Sequence, residues 1–266
     1  MLYGAMNSPV RPVLQEMEGI AGQGFDYLEL TLDPPEAHHG IILRMRDDLM
    51  RRLEDLGMGL VVHLPTFVST ADLTDSLRRA SVEETLRSLD LAATLGAWKA
   101  VLHPSVHRGM SVLVMEQAAR YARESLEAFV EKAEALGMAL CLENMFPRSN
   151  SLVEPDHFEP VFEGFPGLKM TLDIGHANIG GRGADRTVAF IERYGRRVDH
   201  IHASDNFGRS DDHLPIGAGT VDWSQVASAL KRAGFDATVT FEIFSPDREY
   251  LTISRDKFIA MMGTSG

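Results

Sequence analysis

The chain has 266 residues, a single cysteine, and 38 acidic against 26 basic side chains, for a net charge of −12. Such a length fits one (β/α)8 barrel, which takes ~250 residues, and is enough to bury a sizeable core. Proteins that grip nucleic acid usually carry a basic footprint, so this balance points to a small-molecule substrate, while leaving room for a local basic patch. No apolar run approaches the ~18 residues of a membrane span, and Met1 to Arg11 shows no basic stretch followed by an apolar one. With Cys141 alone, an internal disulfide is impossible, and a reducing cytoplasm is the expected setting.

In chain order, short β-rich runs are expected at Leu2–Met6, Tyr27–Thr31, Gly59–His63, Lys99–His103, Ala139–Glu143, Lys169–Asp173, Val198–Ala203 and Thr238–Ile243. Amphipathic stretches with helical spacing lie between them, among them Ser76–Leu95 and Gln117–Leu136. Gly57, Gly96, Gly137 and Gly234 each follow a predicted last turn, where glycine takes the left-handed cap at little cost. Eight strands alternating with helices imply βαβ units and closure of a parallel sheet into one (β/α)8 TIM barrel spanning residues 1–266. An open doubly wound sheet is the competing architecture. Gly22-Gln23-Gly24 precedes a strand, which makes it a helix stop and turn rather than a dinucleotide-binding turn.

The predicted strand ends carry an unusual series. His63, His103, Glu143, Asp173, His202 and Glu242 follow one another at intervals of 29 to 40 residues, about one βα unit each, and His176 lies close behind Asp173. A barrel brings all such ends to its C-terminal mouth, where barrel enzymes keep their active sites. With 38 acidic and 10 histidine residues in 266, chance puts one of these types at roughly one position in five or six. Strand interiors disfavour acidic residues, and unpaired buried charge is costly. Mixed imidazole and carboxylate donors suit zinc, manganese, cobalt or iron. One or more divalent ions are therefore the expected cofactor.

A second polar cluster contains Asp205 and Asp211-Asp212-His213. By itself the Asp211-x-His213 pair reads more readily as a solvated loop than as two further ligands. Gly180-Gly181-Arg182-Gly183 reads as a flexible loop, His38 and His39 as exposed loop residues, and His107 as a surface loop residue more readily than a substrate contact. His157 opens a predicted helix. His200 shares the strand face of His202, either as its partner or as a core histidine. Glu29 points inward by parity, to orient a ligand or to make a structural pair. Cys141 reads as a small buried residue, and Trp98 and Trp223 as packing beside helices.

The segments Leu172–Asn178 (LDIGHAN), His202–Asn206 (HASDN), His213–Trp223 (HLPIGAGTVDW) and Phe241–Ile243 (FEI) resemble the xylose isomerase-like barrel superfamily, which includes endonuclease IV and sugar epimerases. The resemblance runs from Tyr27 to Phe244. For the D-tagatose 3-epimerase-like branch it implies one metal held by Glu143, Asp173, His202 and Glu242. The two glutamates would move protons through a metal-stabilised cis-enediolate, and His176 would bind substrate oxygens. For the endonuclease IV branch it implies three zinc ions on His63, His103, Glu143, Asp173, His176, His202, Asp211, His213 and Glu242. All nine positions carry the required residue type. Against the nuclease stand the net charge, the short loop from Asn206 to Asp211, and HASDN in place of a lysine-containing stretch. Ala218 replaces a glutamate common to both branches. The leading expectation is a metal-dependent sugar or sugar-phosphate isomerase or epimerase. The alternatives are a multinuclear phosphodiesterase acting on abasic DNA or a smaller phosphate ester, and a metal-stabilised binding protein without catalysis.

Overall fold

The computed structural model describes residues 1–181 and 183–263; Arg182 of the glycine-rich loop lies outside them. Eight parallel strands close in sequential order, β1 (Leu2–Met6), β2 (Tyr27–Thr31), β3 (Gly59–His63), β4 (Lys99–Leu102), β5 (Ala139–Glu143), β6 (Lys169–Asp173), β7 (Val198–Ala203) and β8 (Thr238–Phe241). Pairing of β1 with both β2 and β8 closes the barrel and excludes the open sheet. The expected strands agree except that β4 and β8 end early, so His103 and Glu242 stand just beyond the last ladder positions.

Helices α1 (Val13–Gly22), α2 (His39–Arg44), α3 (Arg46–Leu56), α4 (Asp75–Thr94), α5 (Met115–Ala135), α6 (Pro155–Gly164), α7 (Ile174–Asn178), α8 (Asp185–Tyr194), α9 (Trp223–Ala233) and α10 (Glu249–Gly263) lie outside the sheet sequence. Gly57, Gly96, Gly137 and Gly234 all take positive φ, as their places after helices require. None of the described helices is long and apolar enough to cross a membrane.

Strand parity divides the apolar residues into two bodies. Leu28, Leu30, Val62, Leu142, Leu172, Ile201, Val239 and Phe241 join helix residues such as Met17, Ile20, Phe158, Phe190, Leu230 and Phe258 in one large core between sheet and helices. Each such burial contributes about 1.5–3 kcal/mol. The other parity faces the barrel axis, and there the apolar cluster is only Tyr27, Val61 and Val101. Polar side chains share the axis with it. Tyr27 and Thr240 are joined hydroxyl to hydroxyl at 2.8 Å, and the Lys99 ammonium donates to the Asp199 carbonyl at 2.6 Å.

Two glycines make room for aromatic rings, Gly4 for Tyr27 of this inner layer and Gly59 for the partly solvent-exposed Trp98. A Cβ on Gly4 would fall 2.3 Å from the Tyr27 ring, and one on Gly59 would fall 1.9 Å from that of Trp98. Trp98 is thus packed against a strand, and its ring centroid lies 5.8 Å from that of Tyr27. Overpacking of this kind costs about 1–3 kcal/mol. Gly59→Ala is expected to lower stability by that amount in a denaturant titration. Adding Trp98→Ala should cost less than the two single losses together; strict additivity would contradict the steric account.

Candidate metal centre

The mouth of the barrel opens into a cavity of about 830 Å³, whose lining includes His63, His103, Glu143, His176, Asp211, His213 and Glu242. Strand length and parity place these groups. His63, Glu143 and Asp173 are the last residues of β3, β5 and β6, and His202 is the penultimate residue of β7. His176 follows one turn after Asp173, whose Oδ1 accepts from the His176 backbone N–H at 2.6 Å and caps α7. Asp211 and His213 arrive on the loop after β7.

That loop is tied down by Asp205. Its backbone exchanges hydrogen bonds with Leu214, and its buried carboxylate accepts from the N–H groups of Asn206, Gly217 and Val221 and from the Trp223 indole. The bland reading of Asp211-x-His213 as a solvated loop is therefore corrected. The tether turns the chain back over the mouth and holds His213 at φ 46, a left-handed conformation that non-glycine residues adopt rarely. Neither residue is fully exposed, and Asp211 Oδ2 lies 3.2 Å from His176 Nε2 and 3.1 Å from His213 Nε2.

The remaining contacts interlock around Glu143. Its Oε2 lies 3.5 Å from His63 Nε2, 3.2 Å from His103 Nε2 and 3.5 Å from His202 Nδ1. The same His202 Nδ1 is 3.3 Å from Glu242 Oε1 and 3.8 Å from Asp173 Oδ2. All nine sequence candidates are thus brought to one mouth. Three overlapping donor groups can each hold an ion, namely His63 with Glu143 and His202, Glu143 with Asp173 and His176, and Asp173 with His202 and Glu242.

Ring protonation decides whether these groups fit a cation. His63 Nδ1–H donates to the Leu64 carbonyl at 2.9 Å, His176 Nδ1–H to the Asn144 carbonyl at 2.9 Å, and His202 Nε2–H to Glu29 at 2.9 Å. Each bond leaves the opposite ring nitrogen as a lone pair facing carboxylate oxygens, a contact that is repulsive without a positive charge between. Glu143 Oε2, Asp173 Oδ2 and His202 Nδ1 are moreover buried without a hydrogen-bond partner. The donor set fits a divalent ion.

In the metal-free protein, protons supply that charge. Burial opposes protonation of His63, but the close approach of the Glu143 carboxylate outweighs it and carries the imidazole up to about 9. His213 rises to about 9 in the same way against burial, through Asp211. Burial, opposed by His176 and reinforced by Glu143 and Glu242, raises Asp173 to about 7. Burial also works against ionised Glu143, yet His103 and His202 hold its carboxyl well below the usual carboxylate range.

Residues outside the candidate set also shape the site. Asn144, directly after Glu143, clamps Asp173 by accepting from its N–H at 2.8 Å and donating to its carbonyl at 2.9 Å. Asp33 is buried at the cavity wall, accepting from the Thr31 hydroxyl and the Thr66 N–H. Nothing in a single sequence singles these out except their position after a strand end. Phe67, Phe146 and Phe244 form apolar parts of the wall.

The other polar candidates take different places. His107 is buried rather than on the surface, and its ring lines a neighbouring cleft of about 370 Å³. His38 and His39 are only partly exposed, both rings resting 2.7 Å from Glu84 Oε1. The Gly40 N–H donates to His38 Nδ1, so Nε2 carries the proton given to Glu84. That arrangement is a hydrogen-bonded brace, with the wrong nitrogen protonated for a ligand. His157 completes a capping box at the start of α6. Cys141 is fully buried, its thiol pushed up to about 12 by burial, which makes it a packing group.

Residues 18–259 match the xylose isomerase-like TIM barrel family, and the chain belongs to it. An uncharacterized protein of Methanocaldococcus jannaschii is 29% identical over 231 residues, 85% of this chain and 77% of its own length. A "Probable endonuclease 4" of Mycobacterium leprae is 24% identical over 244 residues, 88% and 90% of the two chains. An L-ribulose 3-epimerase of Mesorhizobium japonicum is 28% identical over 235 residues, 84% and 73%. Among solved structures, a D-tagatose 3-epimerase-like protein superposes with a TM-score of 0.88 at 26% identity, covering 99% of this chain and 98% of that one.

The protonation pattern fixes a pH dependence. His63 and His213 are raised from 6.5 to about 9, so their contribution to the metal-free fold is complete below pH 6.5 and is lost as pH climbs through 9. Asp173, raised from 3.8 to about 7, acts in the same direction. Metal-stripped protein should therefore melt at a lower temperature at pH 9 than at pH 6.5. Zinc should bind more tightly as pH rises through that window, releasing protons into a weakly buffered indicator solution. Zinc uptake without proton release would contradict the assignment.

Proposed function

We propose that this xylose isomerase-like barrel is a divalent-metal-dependent sugar or sugar-phosphate isomerase or epimerase, with Glu143 and Glu242 as its acid/base pair. One observation carries the reading. Two glutamates that line a cavity roomy enough for a sugar or sugar phosphate, one from β5 and one just past β8, both approach the same His202 nitrogen. The structural likeness to a D-tagatose 3-epimerase-like protein and the L-ribulose 3-epimerase relative support it.

Glu143, Asp173, His202 and Glu242 would hold the ion, drawn from zinc, manganese, cobalt or iron. When bound, the cation supplies Lewis-acid polarisation of a carbonyl and offsets negative charge that builds on its oxygen. Each glutamate has two oxygens, so one can serve the ion while the other exchanges a proton with the carbon beside the carbonyl. Glu143 is suited to removing that proton, because its neighbours keep it ionised. Glu242, whose Oε1 lies 3.3 Å from the same His202 nitrogen, would return a proton to the opposite face of the planar intermediate. His176, with Nε2 facing the cavity mouth, orients substrate hydroxyls. Phe67, Phe146 and Phe244 offer apolar surface at the cavity wall to the carbon face of a sugar.

A phosphodiesterase is the second reading, favoured by the convergence of His63, His103, Asp211 and His213 on the same mouth. Against its nuclease form, Arg108 is the one arginine or lysine among the described residues lining the cavity, where a DNA backbone calls for several. The endonuclease relative keeps the reading in play.

Metal-loaded protein in deuterated water should place deuterium at the carbon next to a ketose carbonyl. Glu143→Gln and Glu242→Gln should each slow that exchange about 100- to 10,000-fold. Absence of exchange across a panel of ketoses and their phosphates removes the isomerase reading. Cleavage of an abasic duplex, absent from a Glu143→Gln control, would establish the phosphodiesterase instead.

A further inference from the structure

Glu29 is fully buried on β2, one layer below the metal-site residues, and takes no part in the donor set described above. Its two oxygens are each claimed by a different imidazole of β7. Oε2 accepts from His200 Nε2–H at 2.9 Å, and Oε1 from His202 Nε2–H at 2.9 Å. His200 is itself fixed on its far side, where the Thr238 hydroxyl meets Nδ1 at 2.7 Å. All of the donated protons run toward Glu29. Thr238 gives to His200, and both histidines give to the carboxylate.

We infer that Glu29, held by His200, is a positioning residue that sets the protonation and aim of His202 at the cation site. The inference rests on reading Glu143, Asp173, His202 and Glu242 as that site, and is independent of the epimerase chemistry. With its proton committed to Glu29 at Nε2, His202 has a single free lone pair, on Nδ1, the atom that faces Glu143, Asp173 and Glu242 together. His63 and His176 are anchored instead by neutral backbone carbonyls. His176 Nδ1 also lies 3.1 Å from Glu143 Oε1, itself a member of the donor set. His202 is the one of these three imidazoles that leans on a carboxylate outside that set, which raises the donor strength of its ring. Since His200 and Glu29 are wholly enclosed and His202 nearly so, the ring cannot turn without leaving a buried carboxylate unpaired.

The same three side chains could be taken for a second cation site, because their donor atoms lie close together. The proton count argues otherwise. Both nitrogens that face Glu29 carry hydrogen, and the remaining nitrogen of His200 is occupied by Thr238. The trio is a support for a ligand.

The test compares metal-stripped wild type with Glu29→Leu and Glu29→Gln. After saturation with zinc, nitrogen-15 spectra of the histidine rings should show His202 carrying its proton at Nε2 and bound through Nδ1 in wild type, and a mixture of forms in Glu29→Leu. Zinc titration should show Glu29→Leu binding about 10- to 100-fold more weakly. Glu29→Gln keeps the volume and one acceptor oxygen, so its affinity should fall between the two. A folded Glu29→Leu with the ring form and zinc affinity of wild type overturns the inference. If that variant does not fold, wild-type affinity in Glu29→Gln overturns it instead. Neither readout involves a sugar. Weakened zinc binding in the variants, beside a wild type that exchanges no sugar proton, leaves the positioning role standing while the epimerase reading falls. Wild type that takes up no zinc at all overturns both.

Discussion

Concentrated negative charge at the barrel mouth is the constraint around which the rest of the molecule is arranged. Glu143, Asp173 and Glu242 are each at most 5% exposed, and Asp211 stands beside them. Carboxylates crowded out of water repel one another and lack hydration, so the fold tolerates them only with positive charge between them. The histidines supply the nitrogen atoms through which that charge can be shared, whether it arrives as protons or as an ion. Their ring orientations are set from behind, by backbone carbonyls and by Glu29. A site built in this way is preorganised, because its donors do not need to find their places when a ligand enters.

The barrel meets this demand by using the two faces of each strand for separate purposes. Outward residues pack aliphatic and aromatic side chains against the helices and supply most of the apolar burial. Inward residues are largely polar, with a short apolar cluster of Tyr27, Val61 and Val101 and a hydrogen-bonded column passing beside it. Loops complete the mouth, and the one after β7 is fixed by the four donors that satisfy the Asp205 carboxylate. Charge that is costly at the axis is thus carried by a shell whose stability comes from elsewhere.

Most of the architecture was legible in the sequence because period-two runs, helical spacing and glycine stops are local signals. Six of eight strands have the expected bounds, and β4 and β8 stop before His103 and Glu242 because those residues have already turned toward the mouth. The candidate ligands were legible through their regular spacing at strand ends. What escaped was whatever depends on contacts distant in the chain. The Asp211-x-His213 spacing alone reads as a solvated loop, although the resemblance names both residues; their capture depends on Asp205, whose partners extend to Trp223. His107 reads as surface from its loop composition, yet its backbone N–H reaches the Ser149 carbonyl and draws it inward. The role of Glu29 was suggested by parity, but its two partners lie 171 and 173 residues away. Asn144 gave no signal beyond following Glu143.

The division between the inner and outer faces has a consequence for how such a barrel can change. Aliphatic positions on the outside of the sheet accept exchanges that conserve volume, at a cost of under about 1.5 kcal/mol each. The polar axis positions do not, since they take part in hydrogen-bonded arrangements that continue into the next strand. Robustness and chemistry therefore occupy alternate residues of the same eight segments. Thermal hardening of this protein can be sought along one face of a strand without disturbing what the adjacent side chains do at the other.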